Sequence, residues 1–249
     1  MRYKLIVAAL LLAVLVASPC LGIADAWRVQ LDTIDELLTE GEWREAERRA
    51  TRLRFEMMDR LADGDQGRGW LAIVTLYRAV ARAGQGELDA ARWDWDVVMM
   101  IVPELAQTDL AKYGETVATA FDHSPPAHDE VAGPGSPGVD PPELRGTMDL
   151  RYPRELGDQC KGAVVGLTFV LGADGTKRHP QPFPLFNNRL SDPLFILAAL
   201  DALWKASYEP ATRDGEPIDV YFNRLVRFRI PRFCTPDVAV TSKVSDDGG

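Results

Sequence analysis

The hydrophobic pattern of this chain changes at one segment, residues 124–142, whose sequence is SPPAHDEVAGPGSPGVDPP. Before this segment apolar residues recur at the spacing of a helix, and after it they alternate as in a half-buried strand. The segment itself is rich in proline and has no apolar periodicity, which is typical of an extended linker. We therefore expect two domains of different class, an all-α domain followed by a small α+β domain.

The N-terminus has the pattern of a secretory signal peptide. Arg2 and Lys4 precede an apolar run over residues 5–17, and the Ala-Asp-Ala motif at 24–26 favours cleavage before Trp27. The run is shorter than the roughly 18 residues expected of a membrane span. We predict an exported, periplasmic protein. The alternative is an uncleaved N-terminus that anchors the chain in the inner membrane.

These patterns divide the chain into five parts. They are a signal peptide at 1–26, a helical domain at 27–122, a linker at 123–151, an α+β domain at 152–234 and a flexible tail at 235–249. The net charge of −9 makes nucleic acid and anionic membrane surfaces poor partners. Membrane contact is expected only if the N-terminus stays uncleaved.

Two cysteines, Cys160 and Cys234, remain after removal of the predicted signal peptide. An even pair of cysteines in an oxidising compartment suggests one disulfide. The alternative is two buried free thiols, which behave as small apolar side chains.

The helical domain contains a repeated turn motif. GEWREA at 41–46 and GELDAA at 86–91 each follow a helical segment, with glycine at the turn and alanine at the fifth position beyond it. Small residues there let paired helices approach closely, and the pattern resembles two tetratricopeptide-type (TPR) helical hairpins. For Trp93 and Trp95 we predict packing between helices rather than a ligand platform.

The α+β domain is predicted from a series of alternating and helical segments. A strand over 163–171 leads into a turn at 174–175 and then into a return segment at 177–186, whose three prolines restrict it to a sheet edge. An apolar helix over 194–208 follows, and a last strand over 218–230 alternates again. These segments predict a three-stranded antiparallel sheet with one helix packed on one side.

Five motifs in order give residues 152–230 a family resemblance. They are Tyr152-Pro153, KGAVVGLTFVLGADG at 161–175, the AALDAL helix that runs to Tyr208-Glu209-Pro210-Ala211, Gly215-Glu216-Pro217, and VRFRI at 226–230. This part of the chain resembles the C-terminal domain of TonB, the periplasmic energy-transducing protein of Gram-negative bacteria. A working TonB also has an uncleaved membrane anchor that contains a histidine, whereas this chain has no histidine before His123.

The resemblance implies a strand order and a binding mode. The first strand would be central with the last strand antiparallel beside it, which places Cys234 near Cys160. The open edge of the last strand would then add a strand from a partner, since prolines disable the other edge. The candidate partner-binding residues are Val220, Tyr221, Phe222, Asn223, Arg224, Leu225 and Arg227. The alternative is an inert edge that Arg224, Arg227 and Arg229 protect by their charge.

No motif in the sequence indicates catalysis. The three histidines, His123, His128 and His179, form neither a local metal-ligand pair nor a triad. Gly84-Gln85-Gly86 lacks the preceding strand of a nucleotide-binding fingerprint. We therefore predict a protein that is not an enzyme and that has no cofactor and no metal site.

The leading functional hypothesis is an exported adaptor of the cell envelope. Its helical hairpins would engage one protein, and its TonB-like domain would bind another by strand addition. The resemblance implies outer-membrane TonB-dependent receptors as one class of partner. One alternative is a divergent TonB energy transducer for outer-membrane transport, and a further alternative is a structural or peptidoglycan-associated envelope module.

Overall fold

The computed structural model describes residues 21–60, 65–121, 131–133, 135–185 and 192–234. The apolar run of the predicted signal peptide and the tail at 235–249 lie outside the described residues, as do His123 and His128. The described part of the chain is a mixture of helices and short antiparallel strands, which confirms the α+β class.

Helices make up most of the first half of the described chain. The α-helices are α1 (Leu21–Thr39), α2 (Trp43–Arg60), α3 (Asp65–Gly84), α4 (Leu88–Ile101), α5 (Glu115–Ala120), α6 (Arg154–Asp158) and α7 (Pro193–Lys205). Single 3-10 turns occur at Pro103–Gln107, Ala111–Tyr113 and Arg232–Cys234. Within the described ranges, no helix combines the length and the apolar character needed to cross a membrane.

The strands form three small sheets. They are β1 (Val139–Asp140), β2 (Glu143–Arg145), β3 (Ala163–Leu171), β4 (Lys177–Phe183), β5 (Ser207–Glu209), β6 (Ala211–Arg213), β7 (Glu216–Ile218) and β8 (Val220–Phe228). The largest sheet has the antiparallel order β4-β3-β8, so the predicted first strand is central and the last strand lies at an edge. Two satellite sheets have the orders β1-β6-β7 and β2-β5.

The helices of the first half pack as hairpins about the two predicted turns. Gly41 and Gly86 adopt positive φ angles of 79° and 81°, a backbone region that glycine reaches without steric cost. Ala46 and Ala91 are fully buried where the paired helices meet. A Cβ at Gly84 would collide with the Trp43 ring, so glycine is needed there for close helix packing. The predicted pair of helical hairpins is therefore present.

Helix α7 lies between the hairpins and the β4-β3-β8 sheet. It is buried on both sides, as its almost continuous apolar sequence favours. Towards the sheet, the Phe195 ring lies 4.6 Å from that of Phe228. Towards the hairpins, the Trp204 ring lies 5.4 Å from that of Trp93. Trp93 thus has the predicted packing role, and the two predicted domains share one continuous core.

Two predicted boundaries differ from the structure because distant strands pair. Part of the predicted linker forms β1 and β2, which pair with β6 and β5. The helix predicted over 194–208 ends at Lys205, because Ala206 is extended (φ −67°, ψ 140°) and the residues after it join β2 as β5. Lys177 Nζ also donates to the Ala206 carbonyl oxygen at 2.8 Å, which satisfies an acceptor at the helix end.

Candidate functional site

The last strand, β8, is held in register along its whole length. It pairs antiparallel with β3 from Val220 opposite Leu171 to Phe228 opposite Ala163. Because side chains alternate along a strand, the even-numbered residues of β8 face α7 and the odd-numbered residues face the other side of the sheet. Burial agrees, since Val220, Val226 and Phe228 are each at most 4% exposed.

One side of β8 is open over most of its length. Tyr221 N–H points away from β3, because it donates to the carbonyl oxygen of Ala132 at 2.8 Å. Backbone groups also alternate in direction along an antiparallel strand, so those of Asn223, Leu225 and Arg227 point the same way. They make no hydrogen bond to any described residue. We call these outward backbone groups the β8 edge.

The opposite side of the sheet is closed. Pro180 and Pro182 in β4 cannot donate a ladder hydrogen bond. A β-bulge interrupts the pairing of β4 with β3, and His179 has a positive φ of 51° there. Helix α4 packs against this strand, with Asp96 Oδ2 at 3.5 Å from His179 Nδ1. Judged from the described residues, the β4 edge is closed and the β8 edge is accessible to a partner's strand.

The structure divides the seven predicted partner-binding residues into two sets. Tyr221, Asn223, Leu225 and Arg227 lie on the face away from α7 and can present side chains to a partner bound at the edge. Val220, Phe222 and Arg224 lie on the core face. On that face Val220 is buried and Phe222 and Arg224 are half-buried, so these side chains pack behind the strand.

Arg224 is half-buried on the core face, near the buried Tyr208. Neither Arg224 Nε nor the Tyr208 hydroxyl has a hydrogen-bond partner within the described part of the chain. Burial raises the pKa of Tyr208, and the charge of Arg224 opposes that rise. Tyr208 therefore stays neutral at physiological pH.

Two exposed apolar residues near the end of β8 were not predicted as part of the site. Ile230 is 49% exposed and Phe233 is 74% exposed, compared with 58% for Leu225. The last strand was predicted to include Ile230, whereas β8 ends at Phe228. Pro231 directly after it was the sequence signal that the strand stops early, since proline cannot continue a ladder.

A disulfide fixes the chain just beyond β8. Cys160 and Cys234 are bonded, with their Cα atoms 5.5 Å apart, which confirms the predicted pairing. Because Cys160 precedes β3 and Cys234 follows β8, the bond joins the two strands at the same end of the sheet. It restricts the motion of the segment that carries Ile230 and Phe233.

A buried cluster of ion pairs joins the hairpins to α7, and sequence reasoning missed it. Arg78 donates to Asp94 at 2.5 and 2.7 Å, and its Nη2 lies 3.5 Å from Asp201 Oδ1. Arg54, which is 1% exposed, donates to the other oxygen of Asp201. Although burial alone would raise the pKa of Asp201, the charges of Arg54 and Arg78 hold it below its ordinary value.

The arginine spacing in α3 was the sequence signal for this cluster. Thr75, Arg78 and Arg82 follow one another at helical intervals in an otherwise apolar helix, and Arg54 donates to the Thr75 hydroxyl at 3.0 Å. Charged residues on a core-facing stripe are expected only where partners neutralise them. Within the described ranges, no group of three or more histidine, cysteine or acidic side chains is arranged to hold a metal ion.

Known proteins give no independent indication of the role of the β8 edge, so that role is inferred from its structure. Comparison with known proteins found no matching family model, no matching curated protein and no matching solved structure. The resemblances to the TonB C-terminal domain and to TPR hairpins therefore rest on the sequence motifs quoted above.

Proposed function

We propose that this protein is an exported, periplasmic adaptor that binds a partner protein of the cell envelope by strand addition at the β8 edge. A partner in extended conformation would pair with the outward backbone groups of Asn223, Leu225 and Arg227. Main-chain hydrogen bonds of this kind supply affinity, and the side chains on the free face supply selectivity. Outer-membrane TonB-dependent receptors are the class of partner that the resemblance implies.

The observation that carries this proposal is the contrast between the two edges of one sheet. The β4 edge is closed by prolines, a bulge and helix α4, while the β8 edge is left unpaired in the described structure. An unprotected edge on a stable sheet is a template for another chain. The disulfide and the core behind β8 keep that template rigid, which lowers the entropic cost of binding.

The helical hairpins take a supporting role in this proposal. The face that carries Arg54, Arg78 and Trp93 is covered by α7, so it does not offer a surface to a second partner. The hairpins instead hold α7 against the sheet and so fix the position of β8.

A photo-crosslinking residue at Asn223 tests the proposal in intact cells. We expect it to capture an extended segment of one envelope protein, identified by mass spectrometry, whereas the same residue at the exposed Glu104 does not capture that segment. Leu225→Pro removes an outward N–H and should abolish the crosslink, and Leu225→Ala should retain it. Crosslinking at Asn223 that survives Leu225→Pro would show that the partner does not add as a strand.

A further inference from the structure

We infer that the segment bound at the β8 edge carries an apolar and an acidic side chain two positions apart on the same face, an inference that rests on the proposed strand addition. The exposed guanidinium groups of Arg227 and Arg229 make no ion pair with a described residue. Other arginines in this half of the chain do have acidic partners, namely Arg145 with Glu209 at 3.0 Å and Arg178 with Asp219 at 2.5 Å. The cations at the edge are therefore left for a group outside the described chain.

The sheet itself offers Arg227 no acidic neighbour. The residue opposite Arg227 on β3 is Val164, and the residue two positions away on the same face is Leu225. A strand added at the β8 edge would place its own side chains about 4.5–5.5 Å from the residues directly opposite. An aspartate or glutamate opposite Arg227 or diagonal to it would reach the guanidinium and neutralise it.

Leu225 sets the apolar part of the pattern. It is 58% exposed, and its neighbour on β3 is Gly166, which has no side chain. The Phe183 ring of β4 lies over Gly166, where a Cβ would meet its Cε2 at 2.7 Å. Leu225 and Phe183 thus border a shallow apolar patch on the free face of the sheet. An apolar side chain opposite Leu225 would cover this patch, with the acidic residue two positions further along.

The edge limits both the register and the identity of the occupant. Ala132 occupies the outer side of β8 at Tyr221, so the added segment must lie from Asn223 towards Arg229. The whole chain has a net charge of −9, but this edge has the opposite sign. A second copy of the chain would bring the same cationic edge, and like charges across an interface disfavour pairing. The occupant that fits is an acidic extended segment of another protein.

Three matched peptides test the inference on the purified chain that begins at Trp27. Each has eight residues, with Thr at every second position and, at the positions between them, Val alternating with Glu, Gln or Lys, so that one face carries an apolar and a variable side chain two positions apart. Their binding is measured by fluorescence anisotropy at low ionic strength. We expect the Glu peptide to bind about fivefold tighter than the Gln peptide, from charge pairs of modest strength, and the Lys peptide to bind least. Arg227→Glu should reverse the order, and Arg213→Glu, an exposed control of equal charge change, should not.

The outcomes separate the two proposals. If all three peptides bind equally and Leu225→Pro abolishes their binding, strand addition stands and the acidic specificity is wrong. If none binds, strand addition itself is wrong. If the Glu peptide still binds the Leu225→Pro chain, the anion binds elsewhere and the inference is overturned. A dimer in light scattering that Leu225→Pro dissociates would identify a second copy as the occupant and would overturn it as well.

Discussion

Arg54 donates from Nη1 to Oδ2 of Asp201, although 147 residues separate the two in sequence. Arg54 belongs to the hairpins and Asp201 to α7, so this ion pair joins the halves that the sequence pattern divides. Both charges lie in the core with Arg78 and Asp94 beside them. A buried pair of this kind is costly to break, because the remaining charge has no solvent to stabilise it.

Removal of Asp201 should therefore destabilise the whole fold. We expect Asp201→Ala to lower the free energy of unfolding by about 3–5 kcal/mol, since it leaves Arg54 buried without its counter-charge. Urea denaturation measures the change, and a single transition is expected because the two halves share a core. Adding Arg54→Met should recover part of the loss. Glu45→Ala removes exposed ion pairs with Arg48 and Arg49 and is the control that should leave the midpoint unchanged.

The lowered pKa of Asp201 predicts that the stability of the fold depends on pH. The pKa of Asp201 in the folded protein lies below its ordinary value of 3.8. Its contribution to stability is therefore complete above about pH 3.8 and is lost as the pH falls through the folded pKa. Thermal unfolding from pH 6 to pH 2 should show a steeper acid decline for the wild type than for Asp201→Asn. Parallel curves for the two proteins would contradict this assignment.

The disulfide should contribute strongly to stability. Its cysteines are 74 positions apart, and closing a loop of that size stabilises a fold by about 4 kcal/mol in the chain-entropy model. We expect the double variant Cys160→Ser with Cys234→Ser to unfold at clearly lower urea concentration than the oxidised wild type. Under reducing conditions the two proteins should become similar. A wild type that is insensitive to reductant, with two titratable thiols in the native state, would contradict the bond.

The parts of the fold that sequence patterns predicted are those determined by local periodicity. The alternation of β3 and β8 and the glycines at the hairpin turns are signals contained within a few neighbouring residues. The closure of the β4 edge followed from the prolines of that strand in the same way. Such features need no information from distant parts of the chain.

The parts that were missed depend on distant partners. Residues Ser207–Glu209 continue the helical pattern of α7, but pairing with Glu143–Arg145 makes them a strand. Residues 139–145 likewise have the composition of a linker, which did not indicate that they form β1 and β2 by pairing with β6 and β5. The residues next to Arg54 and Asp201 in sequence do not indicate that these charges pair, and their apposition in the fold explains their burial. Tertiary contacts between residues that are far apart in sequence override the local preference for helix or strand.

Trp27 should be the first residue of α1 whose side chain contributes to the stability of the fold. Its side chain is 5% exposed and its Nε1 lies 3.4 Å from Glu56 Oε1, whereas Asp25 and Ala26 before it are exposed. A chain that begins at Trp27 should therefore keep the melting temperature of a chain that begins at Leu21. Trp27→Ala in either chain should lower stability by about 3–5 kcal/mol, as expected for loss of a buried aromatic side chain. Equal stability of Trp27→Ala and its parent would show that α1 does not pack as described.

Adjacent proline substitutions in β8 test the direction of its backbone groups directly. The N–H of Leu225 points outward to the β8 edge, and that of Val226 points inward to β3. Leu225→Pro should therefore cost little stability, because proline is tolerated where the N–H side of an edge strand faces solvent. Val226→Pro removes a ladder hydrogen bond in the core, and a loss of about 3 kcal/mol or more in the free energy of unfolding is expected. Leu225→Ala and Val226→Ala are the matched controls for loss of the side chains. If Leu225→Pro unfolds the protein as completely as Val226→Pro, the outward groups of β8 are already paired, and the edge is not free to receive a partner.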